Sequence, residues 1–448
     1  MTHTVRVDVP PGYEPERAYA IRTVLEDFLG LSASIVTSAG AQHTTLSCDD
    51  GLSLVMPDRL FAIAEKDWLT AASIPVIEGD LPTLGPVSDP VTQRTGDELR
   101  LNVDVFGFAF FMLSRYEEVA RPVADQHGRF PLSASVTREH VLRPLVDEHV
   151  ALLWDCLHQL WPRLERRSRS FSVFATHDID HAFAYTACSA SAMAEMSARA
   201  LVKDRDLTAA LSTPRDWLAV RRGRLERDPF NTYDAIMAWC EEASVRCAFY
   251  VIPDADPAGR EERHLYQPED QPVLDVLARI HQRGHEIGIH PSYRSHGSAG
   301  QLSHELDRLR NALSDKGIDA PISGGRQHYL RWSAESSWRH WDEVGLSYDS
   351  TVGYAESPGF RAGTCHSFPV FDLRGRKALR LRERPLIVME RTLQDYLRLD
   401  LAGEQVRTTV RRLKDATREH GGEFVMLWHN SSLTDPRHRE LYAEALTG

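Results

Sequence analysis

From Phe171 onward the chain alternates short apolar runs with amphipathic stretches, and this alternation restricts the possible folds more than any other feature. Phe171 to Thr176, Arg246 to Ile252, Glu286 to His290, Pro321 to Ser323, Leu386 to Met389 and Phe424 to Trp428 read as buried strands. Between them Tyr233 to Glu242, Pro272 to Arg283, Ser303 to Ser314 and Gln405 to His420 have the spacing of helices. In the Ser303 stretch Leu306, Leu309 and Leu313 recur every three or four residues, and Glu305 and Asp307 come early, where the helix dipole favours acids. Repeated β-α units of this length build a parallel barrel or a doubly wound sheet. Residues 189–227 interrupt the alternation as a helical insertion over one face: a lid, an oligomer contact or padding.

A chain of 448 residues exceeds what one hydrophobic core serves, so two domains are expected. Residues 1–165 form a small α/β region of their own, with strand-like Thr4 to Val9 and Leu52 to Met56. Its helical pieces are Glu14 to Leu29, Asp104 to Glu118 and Val146 to Leu164. The charged run Arg163 to Ser170 reads as a linker to a second domain, 171–448. A net charge of -12 argues against nucleic acid as a partner, because neutralising phosphates takes a clustered basic surface; Arg215 to Arg227 is the local exception. The longest apolar stretch, Val105 to Leu113, is well short of the roughly 20 residues that cross a bilayer, and the N-terminus lacks a secretory pattern. A cytoplasmic protein with no membrane span is therefore expected. The six cysteines show no CxxC and read as free thiols, with Cys365 either packed or close to a site.

The chemistry concentrates at strand ends. Thr176-His177-Asp178-Ile179-Asp180 closes the first strand, and period-two alternation aims Asp178 and Asp180 at one spot, where one carboxylate can hold a metal and the other take a proton from water. In Gly284-His285-Glu286-Ile287-Gly288-Ile289-His290 the same alternation turns His290 away from Ile287 and Ile289 and leaves its imidazole, a ligand for zinc or a similar cation, at the strand's end. Gly324-Gly325-Arg326-Gln327-His328-Tyr329 follows a short apolar strand; Arg326 there can clamp a carboxylate, and the backbone can present an N–H to an oxyanion. Phe424 to Trp428 ends in His429, suited to protonating a leaving group.

Taken in chain order, these motifs resemble the polysaccharide deacetylases, carbohydrate esterase family four. The resemblance implies an α/β fold, a distorted (β/α)7-type barrel spanning 171–448 with an additional N-terminal α/β accessory domain. It also implies one divalent metal: zinc first, with cobalt, nickel, manganese or iron as alternatives. Thr176 to Asp180 is similar to the family's TFDD-like motif with one residue inserted between the acids, which makes Asp178 the base and Asp180 a metal ligand. Gly284 to His290 is similar to its GHEIGNH motif and makes His290 a ligand. Arg326 to Tyr329 resembles the RxP-aromatic motif, in which the arginine supports the base and the Tyr329 backbone forms the oxyanion hole. Val425 to His429 resembles the closing LxLxH and makes His429 the acid. A branch with an extra N-terminal region is resembled through Asp104 to Glu118, His290-Pro291-Ser292-Tyr293 and Tyr348 to Thr351.

One departure matters. The family's second metal histidine falls four residues after the first, and that position is Arg294, a guanidinium that stays protonated and cannot ligate. Two residues can take its place, His296 in the following loop or His328, where the family has proline. His328 is the stronger candidate because it is locked between Arg326 and Tyr329. The expected activity is hydrolysis of a C–N bond other than a peptide bond, removing an N-acetyl or other N-acyl group from a sugar or small-molecule precursor. The alternatives are a cyclic amide or imide hydrolase on the same barrel, or a metal-free carbohydrate-binding or scaffold protein. Glu390 and Asp349 are candidates for gripping substrate hydroxyls or for capping strand ends, and homo-oligomerisation is left open.

Overall fold

The computed structural model describes residues 4–77, 79–86, 90–202, 205–254 and 266–447. Contacts group the chain into two units. The first holds Met1–Ser172, Tyr329–Val388 and Arg412–Val425, and the second holds Val173–His328, Met389–Arg411 and Met426–Gly448. Segments 329–388 and 412–425, which a division near residue 170 leaves with the second domain, thus group with the first.

The first unit begins with a six-stranded sheet made by β1 (Thr4–Val9), β2 (Ser32–Thr37), β3 (His43–Ser47), β4 (Ser53–Pro57), β5 (Thr92–Thr95) and β6 (Glu98–Leu101), in the order β2-β1-β3-β4-β6-β5. Strand β1 shows the alternation its sequence demands, with Val5, Val7 and Val9 buried. Of the helices here, α1 (Glu14–Arg22), α2 (Val105–Leu113), α3 (Tyr116–Ala120) and α4 (Leu145–Leu160), α2 is buried along its whole length. Its cap, Asp104, accepts from the N–H groups of Gly107, Arg59 and Leu60 at 2.8, 2.9 and 3.1 Å, yet burial beside Asp58 still pushes its pKa up to about 6. Beyond α2, the Arg115 and Arg361 guanidiniums both bind the buried Glu118 carboxylate, at 2.9 and 2.7 Å. The stretch from Asp104 to Glu118 therefore serves packing: a core helix followed by a buried ion-pair network.

In the second unit β7 (Ser172–Ile179), β8 (Ala248–Val251), β9 (Glu286–Ile289) and β10 (Gly324–Gly325) pair in parallel. The inserted helices α5 (Ala190–Val202) and α6 (Leu207–Arg221) come after β7, and then α7 (Tyr233–Glu242), α8 (Gln271–Gln282) and α9 (Ala299–Asp315) connect the parallel strands. Each connection is a βαβ unit, and α8 buries Val273, Leu274, Val276, Leu277 and Ile280 along one stripe, as its pattern requires. The insertion is helical as expected, although 203 and 204 within it lie outside the described residues. The fourth strand falls on the two glycines rather than on Pro321 to Ser323, because Gly325 pairs directly with Ile289 and a Cβ there would strike the Ile289 carbonyl.

Three short strands follow in the first unit, β11 (Tyr348–Asp349), β12 (Phe368–Asp372) and β13 (Lys377–Glu383), and the last two strands are β14 (Val388–Met389) and β15 (Glu423–Leu427). The run through the second unit is β10-β9-β8-β7-β15-β14. The architecture is mixed α/β, and among the described residues no pairing closes the strands on themselves. Strands β10 and β14 are two residues long, so the ladder at both ends of this run is thin. Among the described residues no helix is long and apolar enough to cross a membrane.

Candidate functional site

Strand β7 and the segments that leave β9, β10, β14 and β15 deliver polar side chains to one place in the second unit. Asp178 is buried at the end of β7, and its Oδ1 accepts from Arg326 Nη1 at 3.0 Å; the same Nη1 donates to Thr176 Oγ1 at 2.8 Å. Arg326 has no exposed surface, and its guanidinium lies 5.2 Å from the centre of the Tyr250 ring, so burial, ring and hydrogen bonds together fix its direction. Room for that ring comes from Gly288, where a Cβ would lie 2.5 Å from Tyr250 and 2.6 Å from the Gly324 carbonyl oxygen.

His290 donates from Nδ1 to the Arg326 carbonyl at 2.6 Å, which leaves Nε2 as the ligating atom. That Nε2 lies 3.3 Å from Asp180 Oδ1 and 3.6 Å from Asp178 Oδ2. His328 Nε2 lies 3.7 Å from the same Asp180 oxygen. Ligand atoms of Asp180, His290 and His328 all fall within 4.8 Å of one another, and His296, half-buried on a short turn, is not part of this group. One carboxylate and two imidazoles suit zinc and its first-row neighbours, and the backbone carbonyl behind His290 is the orienting partner that metal-bound histidines usually have. The residues therefore fit a single divalent ion. The Asp180 side chain is 28% exposed and His290 2%, so the group is approached from the Asp180 side.

His429 stands on the other side of Asp180, with Nε2 3.3 Å from Asp180 Oδ2. Its Nδ1 bonds Glu390 Oε1 at 2.7 Å, and the same oxygen accepts from the His429 N–H and from Ser432 Oγ at 3.1 and 2.7 Å. Burial lowers the His429 pKa, but the Glu390 and Asp180 charges outweigh it and hold it well above the usual imidazole value. Burial likewise raises Asp180, and the neighbouring His429 and His290 more than reverse this, so its pKa falls well below the carboxylate range.

Asp178, Asp180, His290, Arg326, His328 and His429 thus come together, as do the strand ends that carry them. Tyr329 is the first residue of a segment grouped with the other unit; it sits at φ 61° and its carbonyl accepts from Arg129 Nη1 at 3.0 Å. Two residues had alternative roles open. Glu390, a candidate for gripping substrate, is fully buried and occupied with His429 and Ser432, so it orients the imidazole instead. Asp349 accepts from the Thr351 N–H and hydroxyl and is fully buried, a turn cap rather than a substrate ligand. Cys365 packs beside Asp147 in the first unit, with Sγ 3.1 Å from Oδ2. Tyr250 escaped the sequence reading because it lies inside an apolar strand and carries no polar signal there.

The model of a family of unknown function (DUF7033) matches residues 6–162. No curated protein matches. Among solved structures, a protein described as a polysaccharide deacetylase from Mycobacterium smegmatis is similar at 17% identity and a TM-score of 0.39, over 64% of this chain and 84% of that one. One described in the same terms from Pseudomonas aeruginosa PAO1 is similar at 14% and 0.37, over 62% and 84%. The Puue allantoinase is similar at 13% and 0.37, over 73% and 90%. Likenesses at this level decide neither fold nor reaction.

Proposed function

We propose that the protein is a metal-dependent amide hydrolase that removes an N-acetyl or other N-acyl group from a sugar or small-molecule precursor. The observation that carries this reading is the convergence of Asp180, His290 and His328 within 4.8 Å of one another beside the Asp178–Arg326 pair. Asp180, His290 and His328 would hold a divalent ion, zinc before cobalt, nickel, manganese or iron, whose Lewis acidity would be available to water and to the amide carbonyl. Asp178 takes the proton of the attacking water. Arg326, itself immobilised on Tyr250 and Thr176, keeps one Asp178 oxygen engaged so that the other faces the reaction. As the C–N bond breaks, His429 gives its Nε2 proton to the departing nitrogen, and Glu390 holds the ring in the orientation and charge state this needs. The products are a carboxylate and an amine. The Tyr329 N–H is proposed as an oxyanion donor on the motif resemblance alone, and residues 1–165 as an accessory domain, a reading the family match over 6–162 supports.

The test is metal analysis of the purified protein joined to a screen of N-acylated sugars and small amides for release of the carboxylate. Near-stoichiometric metal and chelator-sensitive release support the reading. Ring-opened products from cyclic amides or imides would move it to that substrate class, and protein without metal or turnover would leave a binding module.

A further inference from the structure

Behind the face of β7 that carries Asp178 and Asp180 lies a second cluster that the proposed reaction does not use. His177 points away from its two neighbours into a layer where it meets Cys240, on α7, and Cys247, which precedes β8; the ligand atoms of all three lie within 4.8 Å of one another. All three are fully buried. His177 Nδ1 donates to the Trp428 carbonyl at 2.7 Å, so Nε2 is the atom left with a lone pair. That Nε2 lies 3.1 Å from the Tyr442 hydroxyl, which in turn lies 3.2 Å from Cys240 Sγ. The Cys247 sulfur is backed by His285 Nδ1 at 3.3 Å.

We propose that His177, Cys240 and Cys247, with the Tyr442 oxygen as fourth donor, form a second metal site, closed and structural, that takes a thiophilic divalent cation of the zinc type. Two thiolates and an imidazole are the soft and borderline donors such ions select. Two sulfurs on a tetrahedral zinc stand roughly 3.8 Å apart at Zn–S distances of about 2.3 Å, so the cluster closes on an ion through small side-chain rotations. The backbone carbonyl on His177 Nδ1 fixes the ligating tautomer in the manner usual for metal-bound histidine. The surroundings are aromatic: Phe249 lies against His177, and Trp239 and Trp428 lie against Tyr442. The Tyr442 phenol is already in place as the fourth donor. The ion would tie β7, α7, the start of β8 and the C-terminal helix α12 (Pro436–Leu446) together directly behind the strand that carries the candidate catalytic acids. It enters during folding, since the finished site has no exposed ligand.

Sulfur distinguishes this site from the Asp180–His290–His328 group, which contains none, so the two can be read separately. The full chain is produced in cobalt-supplemented, zinc-depleted medium and examined for the near-ultraviolet sulfur-to-cobalt charge-transfer band. The band is expected in the wild type and in His290→Ala, and lost in Cys240→Ala and in Cys247→Ala. Because the cysteine variants risk misfolding, X-ray absorption at the metal edge on the wild type alone gives the second measurement, with sulfur scatterers expected at about 2.3 Å. Wild-type protein that folds with no sulfur band and only nitrogen and oxygen scatterers overturns the proposal, and the cluster is then a hydrogen-bonded packing of thiols.

Discussion

The two faces of β7 make opposite use of neighbouring residues. Thr176, Asp178 and Asp180 look into a cluster of imidazoles, a guanidinium and carboxylates in which the Asp180 side chain is partly exposed, while His177 looks into a buried layer of thiols, a phenol and aromatic rings. The difference teaches that strand alternation sorts chemistry as strictly as it sorts polarity. A slip of one residue would exchange hard, charged, accessible donors for soft, closed ones. Each face has a histidine whose Nδ1 is tied to a backbone carbonyl, His290 on Arg326 and His177 on Trp428. Among the described residues, the first has carboxylates within reach of its other nitrogen, Asp178 and Asp180, and the second has the Tyr442 hydroxyl.

Variants on the open face should separate base, ligand and acid. The largest effect is expected from Asp178→Asn, which should lower turnover by about 10³-fold or more while metal content stays near the wild-type value; substantial residual hydrolysis would move the base elsewhere. His328→Ala should strip most of the metal bound on this face, and His296→Ala little of it, as measured by metal analysis alongside activity. The reverse order would transfer the third ligand to the loop. His429→Ala should slow turnover by about 10²-fold with metal retained. Glu390→Gln, which leaves the ring in place but removes the charge that supports its proton, should cost about 10-fold and shift the pH profile of the acid step towards lower pH. An unchanged profile would make Glu390 merely structural.

The smallest effect belongs to the closed face. Tyr442→Phe removes the hydroxyl proposed as the fourth donor between Cys240 and His177 and should lower stability to denaturant by more than the about 1 kcal/mol of a lost hydrogen bond. A loss several times larger would show that the cluster holds more than hydrogen bonds, and no loss at all would show that the hydroxyl is idle.

Much of this was legible in the residues. Helix α7 and strand β1 have the bounds their patterns predict, and β7, β9 and β15 end within a few residues of Asp180, His290 and His429. Other parts were hidden. Strands β2, β3, β5 and β6 carry little apolar alternation that a single sequence reveals, and they exist because neighbours offer them ladders. The role of Glu390 could not be read from its position at a strand end, since a cap, a substrate ligand and a histidine partner all look alike there.

The sequence by itself determined which residues emerge at strand ends and on which face, because periods of 2.0 and 3.6 residues are local properties of the backbone. It also established that Arg294 cannot ligate, because a guanidinium does not give up its proton. Only the tertiary structure decided which histidine lies beside Asp180, that Glu390 bonds His429, and that His177 meets two cysteines from distant segments. Distances between side chains on different strands depend on register, packing and the glycines at 288 and 325, and no local rule carries that information.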